Sequence, residues 1–155
     1  MPLSGYVDSV LMPGEDVAYR GRLHWIIYAP GFGALCLELI FIGAEYVMPQ
    51  FDDLLYRLIL VCLLAAIGAF ARAWAQQATT EIAVTNRRII SKAGLLQRRT
   101  IEMYLDKVES VDVRQSVLGR LLDYGAVIVR GTGSGIEPLA DVAAPLKLRS
   151  FVAAD

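Results

Sequence analysis

The chain has 155 residues, one domain's worth by length. Its 15 Lys and Arg against 16 Asp and Glu leave a net charge of −1, so no global field argues for nucleic acid. A hydrophobic content of 55% suits a membrane protein, and two cysteines give neither a disulfide scaffold nor a metal site.

Residues 1–24 read as a short N-terminal segment. They lack the basic n-region of a cleaved signal, and the apolar run that follows is too long for a signal core, so it is expected to be retained. Two long apolar stretches come next, Trp25–Met48 and Leu54–Ala75, joined by a turn at 49–53. At ~1.5 Å rise per residue each is long enough as a helix to cross a hydrocarbon core of ~30 Å. Cys36 and Cys62 lie inside these stretches and read as small apolar side chains.

Orientation follows from the basic residues near the helix ends. Arg20 and Arg22 precede the first stretch, and Arg72, Arg87, Arg88 and Lys92 lie at or after the end of the second. The connection and its flanks carry Glu45, Asp52 and Asp53 against Arg57 alone. A multi-pass membrane protein is expected, with both termini cytoplasmic and the turn outside. Trp25, Tyr28, Tyr56 and Trp74 fall near the boundaries, where amphipathic rings serve as interface anchors. His24 is read as an anchor of the same kind. Pro30 suggests a kink, and Gly31, Gly33 and Ala34 would allow a neighbouring helix to approach closely.

Glu38 lies near the middle of the first stretch. An ionised carboxylate there costs at least ~2.5 kcal/mol, so it should be neutral or paired. Three readings stand open: a protonated Glu bonded to a backbone carbonyl of the neighbouring helix, a polar contact between protomers, and a proton or ion site.

Beyond Gln76 the pattern changes to short β segments, and residues 76–155 read as one cytoplasmic domain. Ile82 and Val84 alternate with Glu81 and Ala83, Asn86 supplies a turn, and Gly94-Leu95-Leu96 joins two further strands as a hairpin. Val108–Arg114 alternates again, Ser116–Tyr124 reads as a short helix or turn, and Ala126–Arg130 reads as a strand buried on both sides. A strand over Ile136–Val142 follows. The last segment opens with Pro145 in a favoured first-turn position and places Leu148, Phe151 and Val152 along one helix side. Six strands and a closing helix suggest a small, strongly bent antiparallel sheet or a partly open barrel.

Several of these runs carry a family resemblance. Thr85-Asn86-Arg87-Arg88-Ile89-Ile90, the Gly94 turn, and Val108-Glu109-Ser110-Val111 resemble bacterial pleckstrin-homology (PH) domains of the membrane-anchored, YdbS-like type. So do Ser116-Val117-Leu118-Gly119-Arg120, Tyr124-Gly125, Gly131-Thr132-Gly133, and, upstream, Pro13-Gly14-Glu15 and Arg22-Leu23-His24-Trp25. The resemblance implies two nearly orthogonal antiparallel sheets capped by a C-terminal helix. It implies no enzymatic activity and no cofactor, and it carries over no site residues.

Catalytic constellations are poorly supplied. His24 is the one histidine, no nucleophile elbow accompanies it, and Asp52 and Asp53 are explained by a solvated turn. Gly131–Gly135 lacks the Lys of a phosphate loop and precedes a strand. The basic cluster Arg87, Arg88, Lys92, Arg98 and Arg99 shares the window Asn86–Arg99 with no acidic residue. It could pin the domain to anionic headgroups, each cation gaining ~1 kcal/mol, or simply set topology. A tethered domain has no need of lipid affinity for recruitment. The expected function is therefore a non-enzymatic, membrane-anchored adaptor or assembly module that docks a protein partner or self-associates. An anionic-lipid sensor and a small transport or pore component around Glu38 are the alternatives. Expected partners are membrane lipids, a second copy of the chain, and a membrane or cytoplasmic protein, with no nucleic acid and no metal.

Overall fold

A computed structural model describes residues 5–94, 99–132 and 138–153. The chain divides into two compact units, Met1–His24 with Gln76–Asp155, and Trp25–Ala75.

The second unit is a pair of helices. A 3-10 turn over Trp25–Tyr28 leads into α2 (Ala29–Val47), a second 3-10 turn spans Pro49–Phe51, and α3 (Asp52–Thr79) follows. The segments Trp25–Val47 and Pro49–Thr79 are long and apolar enough to cross a membrane, and only 6% and 17% of their most apolar windows is buried within the protein. Pro30 falls in the first turn of α2, where a missing N–H leaves no bond unmade, so it starts the helix rather than kinking it. Close approach occurs at Gly31, whose Cβ, were there one, would lie 2.9 Å from the Phe70 ring. Phe70 also meets Phe32 edge-on at 5.2 Å and Tyr28 at 6.1 Å. Gly33 has nothing within 4 Å.

The first unit begins with residues that sequence alone set apart. Helix α1 (Tyr6–Val10) and strand β1 (Val17–Gly21) precede the helix pair, yet β1 joins β2 (Glu81–Thr85), β3 (Arg88–Ala93) and β4 (Arg99–Tyr104) in one antiparallel sheet of order β1-β2-β3-β4. The second sheet is antiparallel β5-β6-β7, from Val108–Arg114, Tyr124–Gly131 and Leu139–Ala143. The short helix α4 (Val117–Leu121) joins β5 to β6, and α5 (Pro145–Val152) closes the unit. Among the described residues no ladder joins the sheets into a barrel, which corrects the barrel alternative. One corner is made by the chain itself: after β1, Leu23 bridges Val142 of β7, and the Ala143 amide donates to the Arg22 carbonyl at 2.9 Å.

The main core lies between the sheets. Ile82, Val84 and Ile89 of the first face Val127, Val129 and Val142 of the second, with Leu148 and Val152 of α5 closing the end. A smaller cluster covers the back of the first sheet, where Val7 of α1 packs on Ala83 and Ile90. Strands β2 and β3 are therefore buried on both faces. Phe151 is 41% exposed and stacks on Tyr19 at 5.0 Å instead of entering the core. His24 is buried and stacks on Tyr124 at 5.0 Å, so it belongs to the β unit's interior and not to an interface belt.

Candidate functional site

The basic residues read as one cluster are separated by the fold. Arg87 is exposed in the turn before β3, whereas Arg88 is the first residue of β3 and is buried. Its side chain is 5% exposed and that of Glu15 is 0%. The two form a bidentate pair, Nε and Nη2 each donating to a Glu15 carboxylate oxygen at 2.9 Å. Nη1 donates to Glu102 Oε2 at 2.6 Å, and Nη2 donates also to the Val10 carbonyl at 2.8 Å. Glu15 also accepts from the Thr85 hydroxyl at 2.7 Å and the Met12 amide at 2.9 Å. The Arg88 guanidinium beside it holds the Glu15 carboxyl down to about 2, and Glu15 in turn raises Arg88. Both buried charges are thus paired and hydrogen-bonded, the condition for such a pair to be tolerated. It fastens the loop before β1 to the turn between β2 and β3. Arg88 cannot serve as a headgroup ligand.

Lys92 lies 3.7 Å from Glu81 and 4.7 Å above the Tyr6 ring. Glu81 accepts the Tyr6 and Val7 amides at 3.1 and 3.2 Å, so this group seats α1. Arg99 is exposed on edge strand β4, and Arg98 lies outside the described residues, as do Leu95–Gln97 of the hairpin and the Gly133–Gly135 part of the glycine run. In the helix pair, Trp25, Tyr56 and Trp74 are exposed, and Tyr28 is half-buried near Phe70. Glu38 is half-buried, and no hydrogen bond or ion pair joins it to another described residue. Among the described residues no three His, Cys, Asp or Glu side chains are placed to hold a metal.

A further surface of the β unit was not singled out in sequence. A groove of about 810 Å³ opens between the end of β5, α4 and the start of α5, and Arg114, Arg120 and Arg149 line it with Asp123, Val113 and Leu146. Helix α4 stands beside it. Ser116 caps this helix by accepting the Gly119 amide at 3.0 Å, and Gln115 donates to the Gly119 and Tyr124 carbonyls at 3.3 and 3.1 Å. That clamp turns Val117, Leu118 and Leu121 outward, at 86%, 62% and 79% exposure. The signal in sequence was a Val-Leu-Gly-Arg-Leu-Leu run too short for any face to be assigned.

The β unit is thus two antiparallel sheets that share one core and are closed by a C-terminal helix. The chain belongs to the bacterial PH domain family, whose model matches residues 34–155. The match begins inside α2, so β1 and Glu15, which complete the first sheet, precede it. No curated protein and no solved structure matches the chain.

Proposed function

We propose that this chain is a membrane-anchored, non-enzymatic PH-like adaptor that docks a protein partner, or a second copy of itself, at the cytoplasmic face of the bacterial inner membrane. One observation carries the anchoring. Strand β1 ends before the first apolar helix and β2 starts after the second, yet they pair with Gly21 opposite Ile82. Both ends of the helix pair must then lie on one side of any bilayer it enters, as an even number of crossings requires. The outward apolar surface of both helices supports insertion, since in water it would be an exposed patch far beyond what soluble proteins tolerate. Arg20, Arg22 and Arg72 support the cytoplasmic side. The adaptor role rests on the family and on tethering, which makes lipid affinity redundant for recruitment.

Cysteine accessibility tests the topology. In a background carrying Cys36→Ala and Cys62→Ala, Asp53→Cys should react with a membrane-impermeant maleimide in spheroplasts, and Glu109→Cys only after lysis. Reaction of Glu109→Cys in sealed spheroplasts refutes the orientation. Crosslinking in intact cells tests the adaptor role: a specific protein or a dimer should be retained, and a chain recovered alone refutes it.

A further inference from the structure

Resting on the adaptor reading, we infer that the groove between α4 and α5 is the docking site, and that its occupant is an acidic amphipathic segment of a partner protein. Charge is the first reason. Several cations elsewhere on this unit are matched: Arg20 with Asp8, Arg88 with Glu15 and Glu102, Lys92 with Glu81, Arg130 with Asp112 at 3.3 Å, whereas Arg22, Arg87 and Lys147 make no ion pair among the described residues but do not line the groove. Arg114, Arg120 and Arg149 make no ion pair among the described residues, and Asp123 is the one carboxylate lining the groove with them. Three arginines converging on a recess present planar donor forks suited to carboxylates.

Apolar surface is the second reason. Val117, Leu118 and Leu121 lie outward beside the groove, and Leu146 at its wall is 55% exposed. Leucines held outward by a capped, clamped helix form an apolar ridge against a cationic recess. A segment with Leu-type residues on one face and Asp or Glu on the next would cover both, in the helix-in-groove manner. A bilayer is flat. It would receive the ridge and leave a recess of about 810 Å³ unfilled, so the concave shape favours polypeptide.

The test uses the full chain in phosphatidylcholine nanodiscs. The probe is a synthetic 14-residue peptide with Leu on one helical face and Glu on the rest, and its control has Lys for every Glu. The acidic peptide should bind at least ~10-fold more tightly than the control and weaken as salt rises. Arg120→Glu with Arg149→Glu should lose at least ~10-fold, and Leu118→Ser should weaken binding without altering its salt dependence. All three positions are exposed, so these variants should keep the circular dichroism of the parent. Equal binding of the two peptides, or binding indifferent to the variants, overturns the assignment. So does a chain that ignores the acidic peptide but engages phosphatidylglycerol vesicles through the same arginines. If intact-cell crosslinks to a protein persist undiminished in the Arg120→Glu, Arg149→Glu chain, the adaptor reading survives and this groove is not its docking site.

Discussion

Glu15→Gln is the sharpest probe of how the β unit is held together. The substitution keeps the side chain's size and removes its charge. Arg88, 5% exposed at its side chain, would then face only Glu102, which is 34% exposed. Breaking a buried pair from one side costs ~3–5 kcal/mol, because the remaining charge stays desolvated. The loss should be read locally, by native-state hydrogen exchange at the Ile89 and Ile90 amides on β3. Protection there should fall by roughly 100- to 5,000-fold if global opening governs their exchange. Replacing both partners, Glu15→Leu with Arg88→Met, should recover most of the loss, since an apolar pair of similar volume is often neutral or stabilising. The acid limb has a definite sign. Glu15 has an ordinary value of 4.5 and a folded value of about 2. Its contribution is therefore whole above about pH 4.5 and drains away as pH falls through about 2. The Gln variant should lack that dependence. A Gln variant losing less than ~1 kcal/mol would mean that Glu102 alone satisfies Arg88, and the account of the network would fail.

Leu148→Ala should destabilise the β unit by ~2–5 kcal/mol in thermal unfolding, because Leu148 is fully buried between the sheets. Phe151→Ala should cost about 1–2 kcal/mol, mostly its stack on Tyr19, and an equal cost for both would contradict the observed packing. In the helix pair, Gly31→Ala should cost ~1–3 kcal/mol of stability in detergent by pushing on Phe70. Gly33→Ala, in open space, should be neutral or stabilising by up to ~1 kcal/mol. Gly125→Ala sets a Cβ 2.6 Å from the Arg114 carbonyl, which the β5–β6 ladder holds in place, so a loss of ~1–3 kcal/mol is expected.

Apolar length and short alternating segments are local signals, and they made the helix pair and most of the strands legible in sequence. The first strand was not. Val17-Ala18-Tyr19-Arg20-Gly21 is five residues long, and its partner Ile82–Thr85 lies some 60 residues onward, so nothing nearby marks it as half of a ladder. Without β1 and α1, Ala83 fell with Glu81 on the face opposite Ile82 and Val84, whereas Val7 of α1 covers it together with Ile90. The same gap hid the fate of Arg88. Strand alternation separates it from Arg87, but only the distant Glu15 reveals that it points inward to a partner. In β6 the error ran the other way. The run Ala126–Arg130 looked buried on both faces, yet within it only Val127 and Val129 are fully enclosed and Arg130 is exposed. The α4 groove was illegible because three arginines more than 30 residues apart at the extremes meet there through tertiary structure alone.

The boundary of the folding unit follows from where the core residues come from. Every member of the two apolar clusters belongs to Met1–His24 or Gln76–Asp155. A fragment Gln76–Asp155 would keep most of them but lose β1, α1 and Glu15, leaving Arg88 buried without its bidentate partner and the Ala83–Ile90 face bare. It should fail to give a dispersed amide spectrum. Joining β1 to β2 without the helices asks the chain to close a loop of 60 residues between Gly21 and Ile82, at about 3–4 kcal/mol of chain entropy. Two antiparallel helices return the chain to its starting side and remove most of that cost before the strands meet. A flexible Gly-Ser linker of about 15 residues in place of Trp25–Ala75, reaching ~20 Å on average, should do the same in water. That linked chain should show a dispersed spectrum with Ile89 and Ile90 protected, while the fragment should not. A well-folded Gln76–Asp155 would mean that β1 decorates a domain already complete without it.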